Sequence, residues 1–388
     1  MTAFGRAPRV VRAAHVAVNV DGVPSDKLSL RQRAWRAVVR KVYGKPEMPV
    51  YPGDLVKARK PIGVGTEIIN ICNADCSFCG YGKGDDGKAA DPRVKGKLKP
   101  EVLKHTLRLF SEGGGGIFVL SPILGEVSAH PGWLDMVREA RSWPNITGVT
   151  CFTNAILLDR FGSEAICKSG LTQMSVSTCL TSREAYKRLY GVDKYDVVVA
   201  NVLDLLATNK RLGNPVHLDL RLRIDKPFEA FYASDLYKTI VQLIDPRRIE
   251  ILEDDWDDFH GIIKKDALPI GHAFKEQYVD KKVPCYAMFR KLEILTDGTI
   301  QACACRVEPE LWGGNIMSYD RLEDAWRDPG LERLRTNWFD GKLSKCCETC
   351  THYIPYTSLL KPARPARVFK RVLSNVKRKL VRREPARA

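Results

Sequence analysis

Between residues 64 and 253 the chain alternates short apolar, β-branched runs with longer stretches whose apolar residues recur at helical spacing. A strand sends successive side chains to opposite faces, whereas a helix returns to one face every three to four residues. A change of period therefore marks a change of element. The pattern predicts strands over 65–71, 116–121, 147–153, 172–178, 216–224 and 248–253. Between them it predicts helices over 100–112, 131–143, 159–169, 195–212 and 233–245. Strands separated by helical stretches imply βαβ units and an α/β fold around a parallel sheet. The four glycines at 113–116 lie between a helix and the next strand, the reverse of a phosphate loop, and lack its Lys-Ser/Thr ending. They read as a helix stop and a turn.

Cys72, Cys76 and Cys79 stand where the first predicted strand ends, in the run Cys-Asn-Ala-Asp-Cys-Ser-Phe-Cys. Three thiolates on one loop hold three irons of a four-iron cluster. Electron-transfer clusters take four cysteines, so one iron is left open. Zinc also asks for four ligands, and neither a His nor a fourth Cys lies close by. The C-x3-C-x2-C spacing, with Phe78 before the last cysteine, resembles the radical S-adenosylmethionine (SAM) enzymes. That resemblance implies a partial (β/α)6 TIM-like barrel, with its chemistry at the C-terminal strand ends. It implies an open iron that chelates the amino and carboxylate groups of SAM, and a 5′-deoxyadenosyl radical that takes a hydrogen atom from a substrate.

Further positions match that family in order. Gly80 and Tyr81 follow the third cysteine, where the family approaches the adenine. Gly125-Glu126 resembles its "GE" motif, whose carboxylate accepts the SAM ammonium, although Val127 stands where the family usually has Pro. Thr153-Asn154-Ala155 resembles its Thr-Asn-Gly, and Ser175-Val176-Ser177 its Ser-Leu-Asp, with Ser177 a hydroxyl for the SAM ribose or carboxylate. Arg188 matches the Arg that pairs with the SAM carboxylate. Tyr81, Arg223, Glu253 and Asp254 are the candidates for a general base.

A second cysteine group lies near the C-terminal end. Cys285 is followed by twelve residues, Gly298, four residues and Cys303, and Cys347-Glu-Thr-Cys350 closes the region. The span 292–300, with Asp297-Gly298 at its centre, reads as a β-hairpin that brings Cys285 and Cys303 together. This order resembles the SPASM/Twitch extension of radical SAM proteins. A full SPASM domain uses seven cysteines for two clusters, and the C-x5-C-x3-C continuation after Cys350 is missing. The resemblance then implies one auxiliary [4Fe-4S] cluster on Cys285, Cys303, Cys347 and Cys350. Cys305 and Cys346 are neighbours that can replace a ligand, and a four-cysteine zinc site is the alternative. A non-ligand Cys305 would be a hydrogen donor. Cys151, Cys167 and Cys179 read as small buried hydrophobes.

Composition changes this picture at the two ends. Of the net charge of +16, residues 1–45 carry +8 and residues 361–388 carry +10, which leaves the body at −2. A near-neutral body argues against a nucleic-acid groove. The tail at 359–388 reads as a basic amphipathic helix suited to an anionic membrane surface, or as a solvated disordered tail. No apolar run approaches the roughly 20 residues of a membrane span. Twelve cysteines in clusters without an export signal suit metal sites in a reducing cytoplasm.

The expected organisation is a basic, mostly helical extension (1–60), a barrel (61–255), a connector (256–282), an auxiliary-cluster domain (283–358) and the tail. The resemblance implies a flavodoxin- or ferredoxin-type electron donor. It implies oxidation or epimerisation of a sugar, aminocyclitol or related natural-product or glycan substrate. Maturation of a ribosomal peptide is the runner-up, because residues 1–60 look too short and strand-poor for a peptide-binding domain. RNA modification and a plain iron–sulfur electron carrier stand behind it.

Overall fold

Six short strands run parallel: β1 (Gly63–Thr66), β2 (Gly116–Leu120), β3 (Ile146–Thr153), β4 (Gln173–Thr178), β5 (His217–Leu222) and β6 (Ile249–Ile251). They belong to a computed structural model that describes residues 61, 63–80, 93–253, 256–259, 261–275, 281 and 284–354. The strands alternate with α1 (Pro100–Glu112), α2 (Trp133–Ser142), α3 (Ser163–Lys168), α4 (Arg183–Tyr190), α5 (Tyr195–Arg211), α6 (Glu229–Ala233) and α7 (Asp235–Leu243). Val64, Phe118, Val149, Met174 and Leu220 are fully buried between strands and helices. Cys151, Cys167 and Cys179 are buried with them, as small apolar side chains. No helix among the described residues is long and apolar enough to cross a membrane. The expected helical extension at 1–60 and the tail at 359–388 lie outside the described residues.

The C-terminal part continues the same sheet. β7 (Lys291–Ile294) pairs in parallel with β1, from Gly63↔Lys291 to Thr66↔Ile294. β8 (Thr299–Gln301) returns antiparallel to β7, and β9 (Trp312–Asn315) antiparallel to β8. The result is one open nine-stranded sheet in the order β6-β5-β4-β3-β2-β1-β7-β8-β9. At the hairpin turn Asp297 Oδ1 accepts from Thr299 N (2.9 Å), and Gly298 takes φ +90°. Beyond β9 come α8 (Leu322–Trp326), α9 (Pro329–Phe339) and α10 (Lys345–Glu348).

Where structure and pattern differ, tertiary contacts decide. The first strand ends at Thr66, not at residue 71. Glu67 N bonds Ile294 O (2.8 Å), and the chain then pairs with 96–98 through Leu98 N→Ile68 O (2.9 Å) and Asn70 N→Gly96 O (3.2 Å). Five residues therefore separate the end of the strand from Cys72. Gly162 (φ +74°) splits the expected helix 159–169, because an L side chain rarely adopts that conformation. The expected helix 233–245 starts at Asp235, where Ser234 accepts from Tyr237 N (3.1 Å) as its N-cap.

Helix α4 has no counterpart in the predicted elements, yet it holds the cysteine loop. Asp75 N bonds Tyr190 O (3.0 Å) and Ser77 N bonds Leu189 O (2.8 Å). Gly191 ends α4 at φ +69°, and a Cβ there would lie 2.4 Å from Asp75 O. Glycine is thus required both by the backbone angle and by the close approach of the loop.

Candidate functional site

A cavity of about 280 Å³ opens where β2 to β5 end. The first loop supplies Cys72, Cys76, Phe78 and Cys79; the loop after β2 supplies Gly125 and Glu126. Asn154 follows β3, Ser177 lies on β4, and Arg221 and Arg223 come from the end of β5. The three cysteines are half-buried and form no disulfide. Burial pushes the Cys72 thiol up to about 12. It stays protonated at neutral pH unless a metal stabilises its thiolate, and iron coordination does that.

Glu126 is buried, and its side chain ties the loop after β2 to the end of β3. Its Oε1 accepts from Ser128 N (3.0 Å), Ser128 Oγ (2.7 Å) and Thr153 Oγ1 (2.6 Å), and Oε2 accepts from Asn154 N (2.7 Å). Burial pushes its carboxyl up against the pull of these four donors. Oε2 takes only one of these four bonds, so it is the oxygen with an acceptor site left. Asn154 Nδ2 donates to Asn73 Oδ1 (2.7 Å), which ties the third strand's loop to the cysteine loop.

Arg223 donates through Nη1 to Ser177 Oγ, and its guanidinium lies over the rings of Phe78 (5.3 Å) and Trp256 (6.0 Å). Its Nε is buried without a hydrogen-bond partner, and no carboxylate pairs with it among the described residues. A cation in that position calls for an anionic ligand. Arg188, expected here, is elsewhere: Nη2 bonds both oxygens of Asp225 (2.5 and 2.7 Å) and Nη1 reaches Leu268 O (3.4 Å). The face of α4 that carries Arg188 meets the loop after β5, not the cavity. Glu253 lines neither this cavity nor the next. Tyr81 and Asp254 lie outside the described residues.

In the second cysteine group, burial pushes Cys285 up to about 12 and Cys350 up to about 11. Cys303 Sγ accepts from Cys305 N (3.2 Å). The side-chain contact between the two favours the thiolate on Cys303 and the protonated thiol on Cys305. Contact with Cys347 likewise pushes Cys346 up. Among the described residues no three His, Cys, Asp or Glu side chains converge on one point. A mononuclear zinc site needs ligands within about 2.3 Å of one ion, so neither group holds a preformed one. Thiols spread over a polynuclear cluster need no such convergence.

Sequence reading missed the residue that holds the last cysteines. Lys281 is buried, and its Nζ donates to Cys347 O (2.7 Å), Glu348 O (2.6 Å) and Cys350 O (2.9 Å). Its partners are 66 to 69 positions away, so no local pattern marks it. Lys281→Met keeps the stem and removes three charge-assisted bonds. We expect a stability loss of at least about 2 kcal/mol by denaturant titration, and iron retained on the first loop but lowered on the second. Unchanged iron and stability would show that the loop holds itself.

A second cavity of about 250 Å³ lies between the two cysteine groups. Gly80, Phe259 and Ile262 line one side, Ala304 to Glu308 and His352 the other, and Ile123 and Leu124 separate it from the first cavity. Gly80 is held against Phe259, where a Cβ would lie 2.7 Å from the ring. Arg306 forms a buried ion pair with Asp257 and lies 4.4 Å over the Phe259 ring. Burial alone would push Asp257 up, but Arg306 holds its carboxyl below the usual range. His352 Nε2 stands 3.4 Å from the other Asp257 oxygen.

Residues 285–351 match the SPASM family model, an iron–sulfur cluster-binding domain. A GTP 3′,8-cyclase of Chlorobaculum tepidum is 27% identical over 141 residues, 36% of this chain and 40% of its own length. The chain thus spans less than half the length of that curated relative. Streptococcus suis SuiB bound to precursor peptide SuiA aligns at TM-score 0.50 and 16% identity, over 75% of this chain and 70% of its own. Native anSMEcpe with bound AdoMet aligns at TM-score 0.50 and 15% identity, over 76% and 89%. At such identities the structural matches speak for the fold alone.

Proposed function

We propose that the chain is a radical SAM enzyme with a SPASM iron–sulfur domain, that its first cavity binds SAM and that its second presents a compact polar substrate for hydrogen abstraction. The outcome is oxidation or epimerisation of a sugar, aminocyclitol or related unit. When bound, a [4Fe-4S] cluster on Cys72, Cys76 and Cys79 together with SAM supplies a 5′-deoxyadenosyl radical that takes a hydrogen atom.

The chain's own residues have matching tasks. Arg223 and Ser177 hold a carboxylate: among the described residues no carboxylate pairs with the guanidinium, and its Nε is an orphan donor. Glu126 Oε2 and the Asn154 loop receive an ammonium. Phe78 and Trp256 shield the site from water with an edge-on ring pair 5.2 Å apart. Cys285, Cys303, Cys347 and Cys350 hold an auxiliary cluster suited to taking an electron from the substrate. The protonated Cys305 thiol faces the second cavity, where it is suited to return a hydrogen. The electron that starts turnover comes from a flavodoxin- or ferredoxin-type donor.

The observation that carries this reading is the wall at Ile123 and Leu124. It lines both cavities, which supports a substrate site beside the SAM site. The second cavity also admits one side chain of a peptide. Peptide oxidation or crosslinking, as the peptide-bound SuiB likeness suggests, is therefore the second reading. A Cys347→Ala/Cys350→Ala variant should keep part of its 5′-deoxyadenosine formation from SAM and dithionite while losing product. Iron should fall from about eight to about four per chain. A variant that still completes turnover would remove the auxiliary group from the reaction.

A further inference from the structure

The second cavity holds one charge that nothing on its own walls satisfies. Arg306 is neutralised by Asp257, and His352 also leans on Asp257. Glu308 is different. It is half-buried at the cavity wall, and its carboxylate has no hydrogen-bond or ion-pair partner among the described residues. Its neighbour Glu310 is committed elsewhere, accepting from Cys346 N (2.7 Å) and Lys345 N (3.2 Å). Burial and the negative Glu310 both push the Glu308 carboxyl up, more than Arg306 pulls it down. The local field around Glu308 is thus short of positive charge.

Apart from the Cys305 thiol, the rest of the lining is apolar, chiefly Ile123, Leu124, Phe259, Ile262 and Val307. A volume of about 250 Å³ corresponds to about eight waters at ~30 Å³ each, the size of one sugar ring with its substituents. An anion would meet Glu308 and would have to draw Arg306 away from Asp257. A cation meets an unpaired carboxylate and leaves that ion pair intact.

We infer that the second cavity takes a small substrate bearing a protonated amine, with the amine on Glu308 and the carbon skeleton against Ile123, Leu124 and Phe259. The amine fixes the orientation of the ring, and that orientation decides which C–H faces the shared wall. This deepens the proposed function and rests on it for the fate of the substrate, though not for binding.

The test uses the full chain with its iron reconstituted anaerobically. The probes are a charge-matched panel of small cyclic compounds in which each amine has a hydroxyl and a carboxylate counterpart; glucosamine, glucose and glucuronate form one such set. Saturation-transfer NMR and titration measure binding. Amines should bind in preference to both counterparts, and Glu308→Gln should weaken them at least about tenfold. Glu308→Asp, which keeps the charge on a shorter arm, should fall between. The Glu308 side chain makes no capping bond to the turn that follows it, so these variants should fold, which circular dichroism checks. The inference fails if no amine binds, if the counterparts bind as well, or if Glu308→Gln leaves amine affinity within about twofold. Failure of the radical reading has a separate signature: no 5′-deoxyadenosine forms from SAM and dithionite, whatever the panel binds.

Discussion

Replacing Cys72, Cys76 and Cys79 together with alanine is expected to take 5′-deoxyadenosine formation to background and to remove about four irons per chain. The fold should survive, because the thiols do not hold the loop. Asp75 and Ser77 hang it on the last turn of α4 through backbone bonds, and Ser77 Oγ adds a bond to Ala267 O (2.6 Å). Gly191, which closes α4, leaves room for Asp75 to approach this closely. Circular dichroism and the unfolding midpoint should therefore stay near wild type while SAM cleavage disappears. Loss of cleavage together with loss of fold would point to a structural role instead. Retained cleavage would end the reading of this loop as the cluster site.

The second large effect concerns stability. Asp257→Ala leaves the Arg306 guanidinium buried without its counter-charge, with side-chain exposure of only 3%. Removing one member of a buried pair costs about 3–5 kcal/mol. Replacing both with apolar residues of similar volume is often close to neutral. Asp257→Leu with Arg306→Met should accordingly recover most of the stability lost in Asp257→Ala. Denaturant titration of the single and double variants reads this directly. A single variant within about 1 kcal/mol of wild type would mean that water reaches the guanidinium. The pair joins the connector to the loop after Cys305, so the single variant should also loosen the wall of the second cavity.

Both effects bear on how far the site can be read in the chain itself. Helix α1 matches its predicted bounds because its signals are local: Pro100 at the start, Gly113 at the stop. The Asp297-Gly298 turn and the cysteine spacings are local in the same sense. Glu126 and Ser177 are legible through the family resemblance, one after the second predicted strand and the other on the fourth. Arg188 and Arg223 show the limit, because both are arginines in sensible positions. Only packing reveals that Asp225 takes the first and leaves the second to the cavity. Asp257 and Lys281 go unmarked because their partners lie 49 or more positions away. The early end of β1 likewise depends on contacts with 96–98 and with Ile294, which no short-range periodicity contains.

The pairing of β1 with β7 has a consequence for anyone who would study the barrel by itself. β1 is an interior strand only because Lys291–Ile294 covers one of its sides. Cutting the chain ahead of the hairpin would expose a row of unpaired amides and carbonyls along β1, the kind of sticky margin that recruits other chains. The auxiliary segment is therefore part of the barrel's own seam. A truncated protein that precipitates would report on that seam, and its silence in an assay would say nothing about electron flow between the two cysteine groups.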